Sequence, residues 1–265
     1  MNIGIVGIGV VGSAVKHGFE KLGHAVTAHD IKYETSIRDV RHTDVVYICV
    51  PTPSLMSGKC DVTIVTEIIR DLNSLEYKGI IAIKSTVEPG TTNRLQQLYP
   101  DMRIAFVPEF LRERCAISDF VEHHDLCVIG TSDTDIFECI KLSHGKYPRT
   151  VIQLSVTEAE LVKYFNNIHN ALLITFANSF YDICKKLDVN YTNVKDAVVN
   201  RSHITDIYLD CNENLRGFGG VCLPKDTKAL NRLVIELETG SKLFETILSE
   251  NERYKTTIFE GMRSI

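Results

Sequence analysis

The run NIGIVGIGVVG, residues 2–12, constrains the fold more than any other stretch. A short apolar segment rich in β-branched residues breaks at once into glycines at 7, 9 and 12. A helical pattern follows through Leu22, and HAVTAHD reads as a second strand ending at Asp30, 18 residues after Gly12. Strand, G-x-G-x-x-G turn, helix and strand-ending acid are the parts of a dinucleotide-binding unit. Gly7 allows the tight turn, Gly9 lets the backbone approach a pyrophosphate, and Gly12 lets helix and strand pack closely. The helix N-terminus turns free N–H groups and a positive dipole end toward phosphates. Asp30 is placed to accept hydrogen bonds from a ribose and to repel a 2′-phosphate, favouring NAD over NADP, although Lys32 leaves NADP open. The plain alternative is a glycine-tolerant turn with no ligand.

Further strand-like runs are DVVYICV (44–50), GIIAIKS (79–85), RIAFV (103–107) and DLCVIG (125–130). Helical spacing in VTIVTEIIRDLNSL and TTNRLQQLY lies between them. Apolar strands alternating with amphipathic helices predict an α/β domain, a doubly wound parallel sheet covered on both faces. From Glu158 to Leu187 no glycine or proline interrupts the chain, and apolar residues at 161, 165, 168, 172, 176, 180, 183 and 187 recur at three- and four-residue steps. That is one long helix, roughly 45 Å at ~1.5 Å per residue, suited to a spine between lobes or across a dimer. Shorter helices are predicted around 190–200 and 224–238, with a last one from about 241 to 263. The architecture changes near residue 154. A Rossmann-like domain is expected over 1–153 and an all-helical dimerisation domain over 154–265.

Charge and cysteine usage narrow the partners. With 265 residues, 44% hydrophobic and 24% charged, the chain has the composition of a globular protein. A net charge of -5 argues against nucleic acid or an anionic membrane as the main partner. No apolar run is long enough to span a bilayer. The eight cysteines contain no C-x-x-C pair, so neither a metal site nor a disulfide framework is expected. Cys49 and Cys127 lie in apolar runs that read as buried strands, as free thiols do in a reducing cytosol, and a cytoplasmic location follows as the expectation.

Four stretches look unlike core or surface filler: VPTP (50–53), KSTVEPGTT (84–92), VPEFLRE (107–113) and GFGGVCLPKD (217–226). The first three follow strands, where ligands sit on open parallel sheets. The fourth places Cys222 on a glycine-rich stretch ahead of Lys225 and Asp226. A thiolate there has a specific use, because adding it to an aldehyde gives a thiohemiacetal whose hydride can leave. The resulting thioester is hydrolysed by water, for which a carboxylate is a suitable base. The plain alternative for Cys222 is a small residue packed beside a glycine turn. Lys163 and Asn167 are four apart on one helix face, and their plain alternative is a solvated polar edge.

GIGVVG, VPTP, KSTVEPGTT, PEFLRE, ELVKYFNN and GFGGVCLPKD occur in the order and approximate spacing of the UDP-glucose/GDP-mannose dehydrogenases, and the chain resembles that family over essentially its whole length. The pairing of the last motif with PEFLRE resembles the UDP-glucose 6-dehydrogenase branch. The resemblance implies NAD-dependent four-electron oxidation of a sugar hydroxymethyl group, UDP-glucose to UDP-glucuronate, with two NAD. It makes Cys222 the nucleophile, Lys163 the stabiliser of the oxyanion and Asn167 a sugar contact. Asp226 and Thr86 would place or activate water, with Glu113 a further acid–base candidate. Glu109, Phe110, Leu111, Arg112 and Glu113 would line the sugar site. Gly7, Gly9, Val11, Gly12, Asp30, Thr52, Thr86, Glu113 and Lys225 would hold NAD. Arg201 looks like the family arginine that crosses a dimer interface to substrate, and Gly219 would sit against substrate. A homodimer through the 158–187 helix is expected.

The chain also departs from the family pattern. Members usually continue into a third, nucleotide-covering domain, and this chain stops at Ile265, so a second chain supplying that part is a further expectation. The run TDIYLDCNENLR replaces a commoner proline-containing one, Thr35 stands where some members have lysine, and Leu126 where some have arginine. Two other functions compete with nucleotide-sugar oxidation. One is an NAD-binding regulatory or partner protein without turnover. The other is a two-electron dehydrogenase of the β-hydroxyacid type, which leaves Cys222 without a role.

Overall fold

The computed structural model describes residues 1–257. The chain divides into two units: Met1–Pro53 with Cys60–Lys163, and Ser54–Lys59 with Tyr164–Ile265.

The first unit is built on seven strands: β1 (Asn2–Val6), β2 (Ala25–His29), β3 (Val45–Ile48), β4 (Ile80–Ile83), β5 (Arg103–Phe106), β6 (Leu126–Gly130) and β7 (Thr150–Leu154). Their order is β2-β1-β3-β4-β5-β6-β7. Because β2 and β3 flank β1 on opposite sides, the chain reverses its winding there. The carboxyl ends of β1 and β3 therefore open a crevice of the kind in which nucleotides bind. Pairing is parallel from β2 to β5. The sheet expected to be wholly parallel is instead mixed. β6 meets β5 antiparallel at a single registered pair, Phe106 opposite Gly130, and β7 then runs parallel to β6.

Alternation along the strands explains the two buried layers. Ile3, Ile5, Val45, Tyr47, Ile80 and Ala82 pack with Ala14, Val15 and Phe19 of α1 (Val10–Lys21), Phe120 of α4 (Ala116–Val121), and Ile136 and Ile140 of α5 (Thr134–His144). Val6, Val46, Ile48, Ile81 and Ile83 pack on the other side with Val65, Ile69 and Leu72 of α2 (Thr63–Ser74) and Leu95 of α3 (Thr91–Leu98). Burying each Val, Leu, Ile or Phe side chain among these contributes about 1.5–3 kcal/mol. The sequence reading had not singled out α4, α5 or β7. α5 does carry a start signal, since the Asp133 carboxylate accepts from the backbone N–H groups of Asp135 and Ile136.

The long helix α6 spans Val156–Lys186, 31 residues, and the division between the units falls within it. In the second unit α7 (Tyr191–Val198), α8 (Leu223–Glu236) and α9 (Leu243–Asn251) follow. Tyr164, Ile168, Phe218, Ala229 and Ile247 form one apolar cluster, and Ala177, Cys184, Tyr191, Leu209 and Cys211 another. The segment Ser54–Lys59 belongs here through Lys59, whose ammonium lies 2.7 Å from Glu236 of α8. The last predicted helix ends at Asn251, earlier than expected, and the part of that expectation beyond Thr257 lies outside the described residues. No helix among the described residues is long and apolar enough to cross a membrane.

Candidate functional site

The turn between β1 and α1 is fixed by steric exclusion. Gly7 has φ +93°, and a Cβ there would lie 2.7 Å from the Cys49 carbonyl oxygen. A Cβ on Gly12 would lie 1.9 Å from the Gly7 carbonyl oxygen, a backbone atom that cannot swing away. Gly9, the N-cap of α1, faces open space, with nothing within 4 Å of its absent Cβ. A crowded pair of glycines around an open one is a cradle that fits a pyrophosphate. The Gly7 N–H donates to the His29 carbonyl at 2.8 Å, tying the turn to β2.

Asp30 holds this turn from the end of β2. Its Oδ2 accepts from the Ile8 N–H at 2.7 Å and its Oδ1 from the Lys32 N–H at 2.9 Å. Partial burial opposes the charge, but these two backbone bonds outweigh it and keep the carboxyl below its ordinary value. An ionised carboxylate offers about four acceptor positions, so a ribose hydroxyl pair still finds acceptors on it. The residues present therefore fit NAD. Val11, half-buried, follows Gly9 in the first turn of α1.

The loops after β3 and β4 are laced together. Thr52 is buried and its hydroxyl donates to the Thr86 carbonyl at 2.7 Å, to which the Cys60 thiol also points at 3.3 Å. Ser85 donates back to the Val50 carbonyl at 2.7 Å. Thr86 itself is half-buried. Glu160, wholly buried, accepts from the Gly90 and Thr92 N–H groups and so caps α3. Burial nonetheless raises the Glu160 carboxyl above its ordinary value. Lys84, at the start of this loop, is also buried, donating to the Val107 carbonyl at 3.3 Å, and desolvation lowers its ammonium.

Lys163 and the 109–113 segment meet in the same unit. The Lys163 ammonium donates to the Glu109 carbonyl at 2.7 Å and to its carboxylate at 3.1 Å, 5.8 Å from the Phe110 ring centre. Lys163 is 4% exposed, which removes the solvated polar edge as its explanation. Glu109 also accepts from the Leu111 N–H at 2.7 Å, folding the segment back on itself. Arg112 is exposed, with its guanidinium forked onto Asp119 at 2.6 and 3.0 Å. Glu113 is half-buried in a 3₁₀ turn, Glu113–Cys115.

In the second unit Cys222 is the N-cap of α8 and is exposed. None of the eight cysteines, all among the described residues, is in a disulfide. Cys49, expected to be buried, is half-buried because β3 ends one residue before it, whereas Cys127 is buried. Cys222 thus stands at the positive end of a 14-residue helix, which favours negative charge on sulfur. One turn on, Asp226 is wholly buried. It accepts from the Asn167 amide at 2.5 Å and lies 2.7 Å from the Lys225 ammonium. Asn167 is 5% exposed, so it too is part of a buried polar group and not a surface edge.

The glycine stretch ahead of Cys222 is held by side chains. Asn251 accepts from the Phe218 N–H at 2.7 Å and donates to its carbonyl at 2.9 Å, and Asn178 accepts from the Gly217 N–H at 3.3 Å. Gly217 and Gly220 have φ of +59° and +73°. A cavity of about 260 Å³ opens against Gly219 and Gly220, with Lys228, Asn251 and Glu252 among its walls. Arg201 is exposed. The sequence reading missed Glu160, Asn178 and Asn251, because capping and loop-holding residues lie dozens of positions from what they hold. Among the described residues no cluster of metal ligands occurs.

Comparison with known proteins matches this architecture. Residues 31–144 match the UDP-glucose/GDP-mannose dehydrogenase family NAD binding domain, and residues 157–253 match that family's central domain. A UDP-glucose 6-dehydrogenase of Rickettsia bellii is 28% identical over 307 residues, spanning 100% of this chain and 70% of its own length. A GDP-mannose 6-dehydrogenase of Pseudomonas putida is 29% identical, spanning 83% of this chain and 53% of its own. The structure of a UDP-glucose dehydrogenase from the archaeon Pyrobaculum islandicum superposes with a TM-score of 0.87 at 28% identity, over 95% of this chain and 68% of that one. Fold and sequence together define an NAD-dependent oxidoreductase class acting on CH–OH groups. The chain belongs to the UDP-glucose/GDP-mannose dehydrogenase family.

Proposed function

We propose that this chain is a nucleotide-sugar 6-dehydrogenase that oxidises UDP-glucose to UDP-glucuronate through a covalent intermediate on Cys222. The observation that carries the reading is the exposed thiol at the N-cap of α8, with buried Asp226 one turn further on, tied to Asn167 and Lys225. A two-electron alcohol oxidation has no use for that thiol, whereas oxidation to the acid does.

NAD, when bound, accepts the hydride in each of the two oxidations. Gly7, Gly9, Val11, Gly12 and Asp30 would hold its adenosine and pyrophosphate, with Thr52, Thr86, Glu113 and Lys225 as further contacts. Cys222 adds as thiolate to the aldehyde carbon, giving a thiohemiacetal oxyanion that Lys163 would stabilise. Glu109 fixes the Lys163 ammonium in place, so the cation needs no reorganisation as charge develops. After the second oxidation a thioester remains on Cys222. Asp226 and Thr86 would hold the attacking water and Glu113 would exchange protons. Hydrolysis breaks the C–S bond, returns the thiol and releases the carboxylate. Asn167, Gly219 and the 109–113 segment would contact the sugar. In this reading the Rossmann-like domain carries NAD and the helical domain carries the thiol.

A homodimer is part of the proposal. On α6 and just beyond it, Leu161, Phe165, Leu172, Phe176, Phe180, Ile183 and Leu187 are exposed, Phe165 at 77%. These are seven of the eight apolar positions whose spacing defined the helix, the eighth, Ile168, being buried in the core. An exposed apolar stripe of this kind supports an interface there, across which Arg201 would reach substrate. The test is purified chain with NAD and a panel of UDP- and GDP-sugars, read by reduced-nicotinamide absorbance, with mass measured in solution. Turnover with UDP-glucose by a dimer supports the reading. A monomer that binds NAD and turns over no nucleotide sugar contradicts it.

A further inference from the structure

Arg216, immediately ahead of the glycine stretch, is half-buried and held from several directions. Its guanidinium carbon lies 4.8 Å from the ring centre of Tyr181 and 4.3 Å from that of Tyr254, so the cation is stacked between two aromatic faces. In its own plane, Nε donates to Asn178 Oδ1 at 2.6 Å and Nη2 donates to Asp182 Oδ1 at 2.6 Å. Tyr254 closes the ring of contacts by donating its hydroxyl to Asp182 Oδ2 at 2.7 Å. The Arg216 backbone is gripped as well. Its N–H donates to the Thr257 hydroxyl at 2.9 Å, and its carbonyl accepts from the Thr257 N–H at 3.0 Å and from the hydroxyl at 2.8 Å.

These groups come from three places in the sequence: the C-terminal third of α6, the loop ending at Arg216, and the segment after α9. The Asn178 oxygen that accepts from Arg216 also accepts from the Gly217 N–H, so the cation's anchor and the first glycine of the stretch share one acceptor. Partial burial opposes ionisation of Asp182, but the Tyr254 and Arg216 hydrogen bonds overcome it and keep the carboxylate charged. A planar cation with five donors suits this geometry, since it stacks on two rings and forks onto two acceptors at once.

We propose that Arg216 is a positioning residue for Cys222: it clamps the 217–222 stretch to α6 and to the 254–257 segment, and so fixes the thiol at the N-cap of α8. Arg216 acts through the loop that carries the thiol. Cys222 is already exposed, so access does not limit its reaction with reagents. Its fixed position at the helix N-terminus does the accelerating, and a loosened loop forfeits it. The consequence for catalysis rests on the proposed role of Cys222 as nucleophile, but the loop geometry does not.

The experiment compares Arg216→Ala, Arg216→Lys and Tyr254→Phe with wild type, as full chains. Amide hydrogen exchange of residues 217–222 and iodoacetamide labelling of Cys222, read on the peptide that contains it, need no turnover. Arg216→Ala is expected to speed exchange in that stretch at least ten-fold and to slow labelling of Cys222 at least three-fold, with exchange in β1–β5 unchanged. Arg216→Lys, which keeps the charge but loses the fork, is expected to recover part of both. Tyr254→Phe removes one hydrogen bond and leaves the ring, and is expected to change exchange two- to three-fold. In turnover, kcat falls while KM for NAD stays constant. Wild-type exchange and labelling in Arg216→Ala would overturn the proposal, and if that variant does not fold, unchanged exchange in Tyr254→Phe does so. Altered exchange and labelling in a chain that turns over no nucleotide sugar would uphold the clamp while contradicting the proposed reaction.

Discussion

Two glycine-rich stretches precede helices in this chain, and they are held in opposite ways. Residues 7–12 are held chiefly by backbone: a Cβ on Gly12 would meet the Gly7 carbonyl, and Gly7 and Cys49 donate to the His29 and Val6 carbonyls of neighbouring strands. Asp30, accepting from the Ile8 N–H, is the one side chain among these contacts. Residues 217–220 are fixed by side chains from Asn178, Asn251 and Arg216. A backbone cradle can be rigid before any ligand arrives and tolerates little substitution within itself. A side-chain cradle can be loosened from a distance, one contact at a time. The first suits a common cofactor, and the second suits a reactive group whose position is tuned.

The largest expected effect separates the two stretches by function. Cys222→Ala should lower turnover by roughly three orders of magnitude or more, as removal of a nucleophile does. NAD affinity, measured by calorimetry, should stay within two-fold. Loss of NAD binding in that variant would break the assignment of cofactor and thiol to separate stretches.

Acid should strike the first unit's scaffold. His144 is wholly buried, edge-on to Phe19 of α1 and to Tyr47, with His124 5.8 Å away. Burial first, and then the Lys84 cation, push His124 down to about 4 and His144 well below 6.5. A histidine with a lowered folded value binds its proton more readily when unfolded. Its stabilisation is therefore complete above about pH 6.5 and is lost as pH falls toward 4. At ~1.4 kcal/mol per unit, His124 alone accounts for about 3 kcal/mol over that window. Asp182, beside the second stretch, stays ionised through most of it. Urea midpoints at pH 7, 5.5 and 4.5 should fall steadily, and His144→Leu should flatten the fall.

Gly12→Ala should destabilise the fold by roughly 1–3 kcal/mol in urea unfolding and abolish NAD binding, because backbone must move to admit the methyl group. The smallest effect is at Asp30. Asp30→Asn should weaken NAD about ten-fold, loosening the contact to Ile8 without collapsing the turn, again by calorimetry. A larger loss at Asp30 than at Gly12 would mean that the acid, and not the backbone, builds the cradle.

The same contrast explains what could be read from the sequence. The 7–12 turn, Asp30 and the strands around them were legible because fixed spacing and β-branched runs impose them locally. The long helix was legible from its apolar period, and all of that stripe but Ile168 is exposed. The reversal at β6 was not, since DLCVIG specifies a buried strand but no direction. The supports of the second stretch were hidden for another reason: Asn178 and Asn251 sit more than 30 residues from Phe218, and nothing in an isolated asparagine announces its partner. Lys163, Asn167 and Asp226 were visible as polar residues in suggestive places, and only the family resemblance gave each a role. Their burial, the Lys163 bonds to Glu109 and the Asn167 bond to Asp226 came from the structure.

The most direct test of the account is the number of NADH formed per UDP-glucose consumed, measured for wild type and Cys222→Ala side by side. Two NADH from wild type, with turnover collapsing in the variant, is the expected result. One NADH, with the variant as active as wild type, would contradict it, because the oxidation would then stop at the aldehyde and the thiol at the head of α8 would have no part in it.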